Sequence, residues 1–480
     1  MQSTITVDIG TTSVKLCLFG ADASLAASAR HATPTVRDAD GEVYDVPGLE
    51  ALVAGFIRDL APDARRAVRR IAIAGVGESG GLVRADGSLA SPMILWHDHR
   101  GAGSLASLSA EDHERIYRVT GLPVNGNYGI SKTAWALERA LGADDSVWLN
   151  VAEYLAARMS GDRWSEPSLA SRTMALDVGS GTWSAEVCGM FGISPDAFPP
   201  LHDASEGASV SEQVAAALDL DAQVRIHVAG HDHMVGASGA DVQPGELLNS
   251  TGTTEGLLML ASEPRLDEGA RRAKLANGID CTGKQRTIFA SIPTGGSTFA
   301  TLQRMLDMDA ERLASLIDAL HARWIADEID LDRIPVVLPR FRGSPPPTKD
   351  RGARGLIAGL RDDTTAEDIV LGAFLGLAQQ FADVLGLFDA TPRVVKVIGP
   401  ASGNPLWLQL KADLLGAPLS VSRFPEVVSR GAQALACGEV TSWQDVDPFE
   451  VRPDSARHAR LASWAEDVAP LWRHLQGAPS

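Results

Sequence analysis

The chain has 480 residues, 45% of them hydrophobic and 22% charged, the balance of a soluble globular protein. That length exceeds a usual single core and predicts two domains of roughly 240 residues each. The 43 basic and 61 acidic residues leave a net charge of −18, which argues against nucleic acid or an anionic membrane as partner. Any anion it binds must meet a local site rather than a general field. No run approaches about 18 consecutive apolar residues, and no basic region precedes an apolar one at the N-terminus. The four cysteines, Cys17, Cys188, Cys281 and Cys437, are scattered without metal-ligand spacing. The expectation is a reduced, cytoplasmic protein with no membrane span.

In chain order, Ile5, Val7 and Ile9 alternate in a strand that runs into Gly10-Thr11-Thr12-Ser13 and Lys15. Backbone N–H groups, hydroxyls and an ammonium group suit phosphate. Asp8 cannot easily face phosphate oxygens directly, so its natural partner is a hydrated Mg²⁺. An ordinary strand and turn with a surface lysine is the bland alternative. Leu49 to Leu60 follow helical spacing, and Ile71 to Val76 read as a buried strand, so the order argues α/β. Gly77-Glu78-Ser79-Gly80-Gly81 follows that strand and offers polar groups to a hydroxyl-rich ligand. Each hydroxyl left unpaired on burial costs about 1–3 kcal/mol. A helix is predicted over 131–139, with Ser131 as a candidate cap, and Val224 to Gly230 return to a strand.

Gly230-His231-Asp232-His233 then ends that strand with a carboxylate facing a cleft, before an Ala/Gly-rich helical stretch at Gly236 to Ala240. Phosphoryl transfer to a hydroxyl needs one side chain to orient and deprotonate the alcohol. Asp232 is also a good helix N-cap, and the flanking histidines admit metal ligation without an identifiable third ligand. The turn around Asp241 to Gly245 sets the expected domain boundary, giving 1–242 and 243–480. A second apolar run enters Gly252-Thr253-Thr254 and leaves through Leu257 to Leu260, repeating the first hairpin. Gly343-Ser344-Pro345-Pro346-Pro347 reads as a surface loop.

Asp8-Ile9-Gly10-Thr11-Thr12-Ser13 and Gly252-Thr253-Thr254 resemble the two phosphate motifs of the FGGY carbohydrate kinases, a branch of the actin-like ATPase superfamily. The resemblance implies two actin-like (ribonuclease H-like) α/β domains around a cleft, with the sugar on the first and ATP on the second. It implies Asp232 as base and as a neighbour of the Mg²⁺. It also implies substrate contacts from Glu78, Ser79, Trp96, Asp98, Asp232 and His233, where Trp96, Asp98 and Arg100 match a Trp-x-Asp-x-Arg segment. A packed tryptophan beside an ion pair is the rival reading of that segment. Gly295 and Gly296 match glycines beside the nucleotide. Gly399, Gly403 and Asn404 lie in a segment that aligns to a Gly-Gly-Gly-Ala-Lys-Ser-x-Leu-Trp pattern, with Pro400 removing one N–H.

The match spans Val7 to the 430s and departs from the family at several places. Thr133 replaces an apolar residue, Gly372 and Leu375 break the C-terminal signature, and Gly343-Ser344-Pro345 stands for Gly-Glu-Arg. Glu78-Ser79 departs from the Met-His of xylulokinase-like members and shares its acid with glycerol-kinase-like ones. The function implied is ATP-dependent phosphorylation of a sugar, polyol or related hydroxyl, with a small-molecule carbohydrate as partner and a homodimer as candidate assembly. A non-catalytic sugar sensor and an actin-like ATPase acting on a protein remain the alternatives.

Overall fold

The structure, a computed structural model, describes residues 2–140 and 145–478. Six strands of the first half form one sheet: β1 (Ser3–Ile9), β2 (Ser13–Phe19), β3 (Leu25–Ala32), β4 (Val68–Gly75), β5 (Ala208–Ser209) and β6 (Arg225–His231), in the order β5-β6-β4-β1-β2-β3. β1 runs antiparallel to β2 and parallel to β4, with Asp8 opposite Lys15 on one side and Ala74 on the other. The second half builds a sheet from β7 (Leu247–Thr251), β8 (Glu255–Ala261), β9 (Ala276–Ile279), β10 (Arg286–Ile292), β11 (Val395–Ile398), β12 (Leu419–Ser422) and β13 (Pro448–Val451). Its order is β9-β10-β8-β7-β11-β12-β13.

The two sheets repeat one plan. The antiparallel run β3-β2-β1 followed by parallel β4 and β6 recurs as β10-β8-β7 followed by parallel β11 and β12. Duplicated hairpins in the sequence are therefore duplicated corners of two like folds. Central strands read as continuous apolar runs because both faces are covered: Ile5, Val7 and Ile9 are fully buried. The first sheet packs on helix Val46–Asp59, whose N-cap Asp45 accepts from Gly48 N.

A cluster containing Ala72, Ala229, Val235, Leu248, Ile398 and Ala432 joins the two halves. There the helix Asp232–Gly239 crosses the helix Val427–Cys437 at glycines. A Cβ on Gly431 would lie 2.2 Å from Val235 O, and one on Gly239 would lie 2.2 Å from Val427 O. Backbones in such contact hold Asp232 in fixed relation to the second half. Helix Ala366–Gly386 has the length and mean hydropathy (1.5) of a membrane span, but 72% of that window is buried, which makes it a core helix. The helix expected from Ser131 begins earlier, at Gly129. Tyr128 is its N-cap, and the Ser131 hydroxyl donates back to Tyr128 O at 3.3 Å from within the first turn.

Candidate active site

Asp8, one residue before the end of β1, is almost fully buried, its Oδ2 3.4 Å from Lys15 Nζ while Oδ1 is buried without a hydrogen-bond partner. An orphaned carboxylate oxygen beside a phosphate-type turn fits a hydrated divalent cation. Lys15 also meets Glu426 Oε2 at 3.3 Å, across to the helix Val427–Cys437. The first turn is closed by Gly10 N donating to Ser13 O at 3.0 Å, and Thr33 Oγ1 donates to Gly10 O at 2.8 Å. Thr11 and Thr12 stay exposed at its tip.

The second turn is closed one residue more tightly, Gly252 N donating to Thr254 O at 2.9 Å. Gly296 N donates to Gly252 O at 2.8 Å and Gly295 N to Thr253 O at 3.2 Å, so the 295–296 segment lies directly on it. Thr251 Oγ1 donates to Ile398 O at 2.8 Å, which brings in the 399–404 segment. A cavity of about 650 Å³ there is lined by Gly399, Pro400, Ser402 and Gly403, with Phe424 and Phe449 as walls and Lys15 at its edge. Asn404 is buried and caps helix Pro405–Leu415, its Oδ1 accepting from Trp407 N at 3.0 Å while its Nδ2 is buried without a hydrogen-bond partner.

Asp232 opens the helix Asp232–Gly239 directly after β6, one position inside its N-cap, His231. Its carboxylate accepts from His233 N at 2.7 Å and stands 3.5 Å from His231 Nδ1. Burial first, then the Asp8 charge, raises its pKa to about 8. Two carboxylates thus converge where two strands end, and one holds its proton near neutrality. Burial keeps His231 neutral, and it lowers the pKa of His233 to about 4. His233 Nδ1 lies 2.8 Å from Ser250 Oγ, and its ring is 4.7 Å from Phe289.

Glu78 adopts a left-handed backbone (φ 61°) that turns its side chain to Arg172. Arg100 pairs elsewhere, with Asp98 at 2.7 Å and Asp38 at 2.8 Å. Asp98 Oδ1 accepts from Arg100 N and Oδ2 from Arg100 Nε and Nη2, so the segment forms an ion pair beside Trp96. Ser79 also faces inward: its Oγ donates to Val76 O at 3.3 Å and accepts from Asn150 Nδ2 at 3.1 Å. Trp96 Nε1 donates to Thr11 Oγ1 at 3.0 Å, tying it to the first phosphate turn.

Three residues beyond the expected set organise the site. Arg172 holds Glu78. Lys132, fully buried, donates to Glu78 O at 2.7 Å, Leu95 O at 2.9 Å and Trp96 O at 2.8 Å, joining both substrate-side segments. Ser168 Oγ accepts from His231 N at 2.8 Å and donates to Glu166 Oε2 at 2.5 Å, steadying the strand end that carries Asp232.

Residues 3–239 match the N-terminal domain and 247–439 the C-terminal domain of the FGGY family of carbohydrate kinases. A glycerol kinase from Bordetella parapertussis is 27% identical over 425 residues, covering 80% of this chain and 79% of that protein. Among solved structures, a ligand-bound xylulose kinase from Lactobacillus acidophilus superposes with a TM-score of 0.87 at 17% identity, covering 100% of this chain and 99% of its own. Plasmodium falciparum glycerol kinase with ADP gives 0.84 at 18% identity, with 98% of each chain covered. The sheet plan, the two phosphate turns and these matches agree: the chain belongs to the FGGY family of carbohydrate kinases and is an ATP-dependent carbohydrate kinase with two actin-like α/β domains.

Proposed function

We propose that residues 1–242 hold a small polyhydroxylated substrate and 243–480 hold ATP, and that Asp232 takes the proton of the hydroxyl that is phosphorylated. The observation that carries this reading is Asp232 itself, at a strand end beside Asp8, with a pKa raised to about 8. A base tuned near the working pH transfers protons well in both directions. As the substrate O–H bond breaks toward Asp232, an O–P bond forms to the γ-phosphorus and the bond to the β-phosphate oxygen breaks, releasing ADP.

The N–H groups of both turns, the Thr11, Thr12 and Thr253 hydroxyls and Lys15 are suited to the phosphates. Mg²⁺, near Asp8 through water, would supply charge neutralisation on the phosphate oxygens. The cavity beside Gly399 and Gly403 suits the adenosine. Similarity to glycerol kinases supports a polyol or related compound as acceptor. The free cysteines agree with a cytoplasmic setting. The test is ADP release by purified protein over a panel of ketoses, aldoses, polyols and sugar acids, each with and without Mg²⁺. Substrate-dependent release supports the reading, and ATP hydrolysis indifferent to every compound contradicts it.

A further inference from the structure

Between the Pro-rich loop, helix Ala366–Gly386 and the C-terminal helix Ser455–Gln476 lies a second cavity of about 450 Å³, which shares no lining residue with the cavity beside Gly399. Pro346, Pro347, Leu387 and Val468 give it apolar walls. Its polar lining is buried and largely unspent. Gln380 is 2% exposed, and neither its Oε1 nor its Nε2 meets a hydrogen-bond partner among the described residues. Arg340, 7% exposed, donates Nη1 to Gln476 O at 2.9 Å but keeps Nε buried and unpaired. Gln379 donates Nε2 to Asp383 Oδ1 at 2.9 Å, while its own Oε1 is buried and unpaired. Buried polar atoms are nearly always hydrogen-bonded, so four exceptions on three residues lining one cavity of ligand size make a built binding site.

The unpaired atoms say what fits. Gln379 Oε1 and Gln380 Oε1 accept, whereas Gln380 Nε2 and Arg340 Nε donate. A hydroxyl group both donates and accepts, so a molecule with several hydroxyls can serve all four. Charge points the same way. The Asp383 carboxylate, which also accepts from Trp472 Nε1 at 2.7 Å and Gln476 Nε2 at 3.1 Å, acts on Arg340 and offsets it within the cavity wall. A carboxylate or phosphate group only accepts and would stand against both amide oxygens and Asp383. An ammonium group only donates and would stand against Arg340 Nε.

The cavity is also joined to the catalytic cleft through one of its own walls. Pro345 to Thr348 line it, and the same loop reaches both sides of the cleft: Arg342 N donates to Thr294 Oγ1 at 3.2 Å, beside Gly295 and Gly296, and Arg351 Nη2 donates to His97 O at 3.3 Å, beside Trp96. We propose that this cavity is a second, non-catalytic site for a small uncharged polyol, held by Gln379, Gln380 and Arg340, and that its occupation acts on the cleft through the loop. A ligand that braces one wall of the loop changes the free energy of moving the other, which is a coupling between two sites.

Equilibrium dialysis of labelled xylitol and sorbitol against wild type, Gln380→Met and Ala469→Trp tests the site, with labelled succinate, inorganic phosphate and alanine run beside them. Gln380→Met removes two of the unpaired atoms, and Ala469→Trp fills the cavity from the C-terminal helix. Both changes lie outside the catalytic cleft, so the melting temperature and kcat/KM for the preferred acceptor should match wild type. For at least one polyol, each variant should lose about one bound equivalent per chain, or hold it about tenfold more weakly. With that polyol at saturation, KM for ATP should differ about fivefold between wild type and both variants. Equal polyol binding by all three proteins overturns the site, and so does an equivalent of succinate, phosphate or alanine lost in place of a polyol. An equal KM for ATP in all three, with the wild-type cavity filled, overturns its action on the cleft.

Discussion

Two donors of Arg172 converge on a single oxygen of Glu78: Nε lies 2.8 Å and Nη2 2.5 Å from Oε1. Both side chains are largely buried, 5% and 12% exposed, so each is the other's countercharge as well as a wall of the cleft. Removing one partner of such a buried pair costs about 3–5 kcal/mol. Glu78→Gln keeps an acceptor oxygen but loses the charge, so its loss of stability should fall below that range. A thermal melt reads that loss. Steady-state kinetics should show a raised KM for the hydroxylic substrate and an unchanged KM for ATP, and an unaltered substrate KM would remove Glu78 from the site.

Asp232 sets a pH dependence of stated sign. Its pKa in the folded protein, about 8, lies above the 3.8 of a free side chain, so folding tightens its hold on the proton. The stability this gives is complete below about pH 4 and is lost as pH rises through about 8. Wild type minus Asp232→Asn, measured by denaturant unfolding at several pH values, should fall across that window. With substrate-free enzyme as reference, kcat/KM should rise with pH through about 8 as the base is freed.

The Asp8 charge is one of the causes that raise Asp232, second to burial. Asp8→Asn should therefore move the rising limb of the kcat/KM profile to lower pH, and it should raise the Mg²⁺ concentration needed for half-maximal activity. A Mg²⁺ titration and a pH profile of the two proteins check this pair of effects. Identical curves in both experiments would show that Asp8 neither supports the metal nor bears on Asp232.

What the sequence made legible was local. Each phosphate turn is a contiguous run of glycine and hydroxyl residues between two apolar strands, and Asp232 follows its strand directly, so spacing along the chain is also spacing in the fold. The Glu78 partner was illegible because Arg172 lies 94 residues away and arrives through tertiary packing. The Asp98–Arg100 pair was visible as a two-residue spacing, whereas Asp38, 62 residues from Arg100, joins that guanidinium through tertiary packing. Ser79 had the right chemistry for a ligand, but its hydroxyl is engaged by Val76 O and Asn150 Nδ2. Ser131 was a reasonable cap residue overridden by a helix that starts two positions earlier.

Lys411 belongs to the same hidden class. It is 1% exposed, pairs with fully buried Glu255 at the start of the strand leaving the second phosphate turn, and donates to Asn249 Oδ1 at 3.0 Å. Its ammonium also sits 4.2 Å from the Trp407 ring centroid and 4.6 Å from that of Phe381. Lys411→Met leaves Glu255 buried without its cation and should lower stability by about 3–5 kcal/mol. Lys411→Met with Glu255→Gln should recover part of that loss, a coupling that denaturant unfolding of the three variants measures.

The central claim is that Asp232 is the base of a phosphoryl transfer, and single-turnover transfer from ATP to the preferred acceptor by Asp232→Asn tests it most directly. The amide keeps the size and the helix-start position but cannot take the proton. We expect the transfer rate to fall about a hundredfold or more while ATP affinity and the circular dichroism spectrum match wild type. Transfer at a near-normal rate by Asp232→Asn would contradict the account.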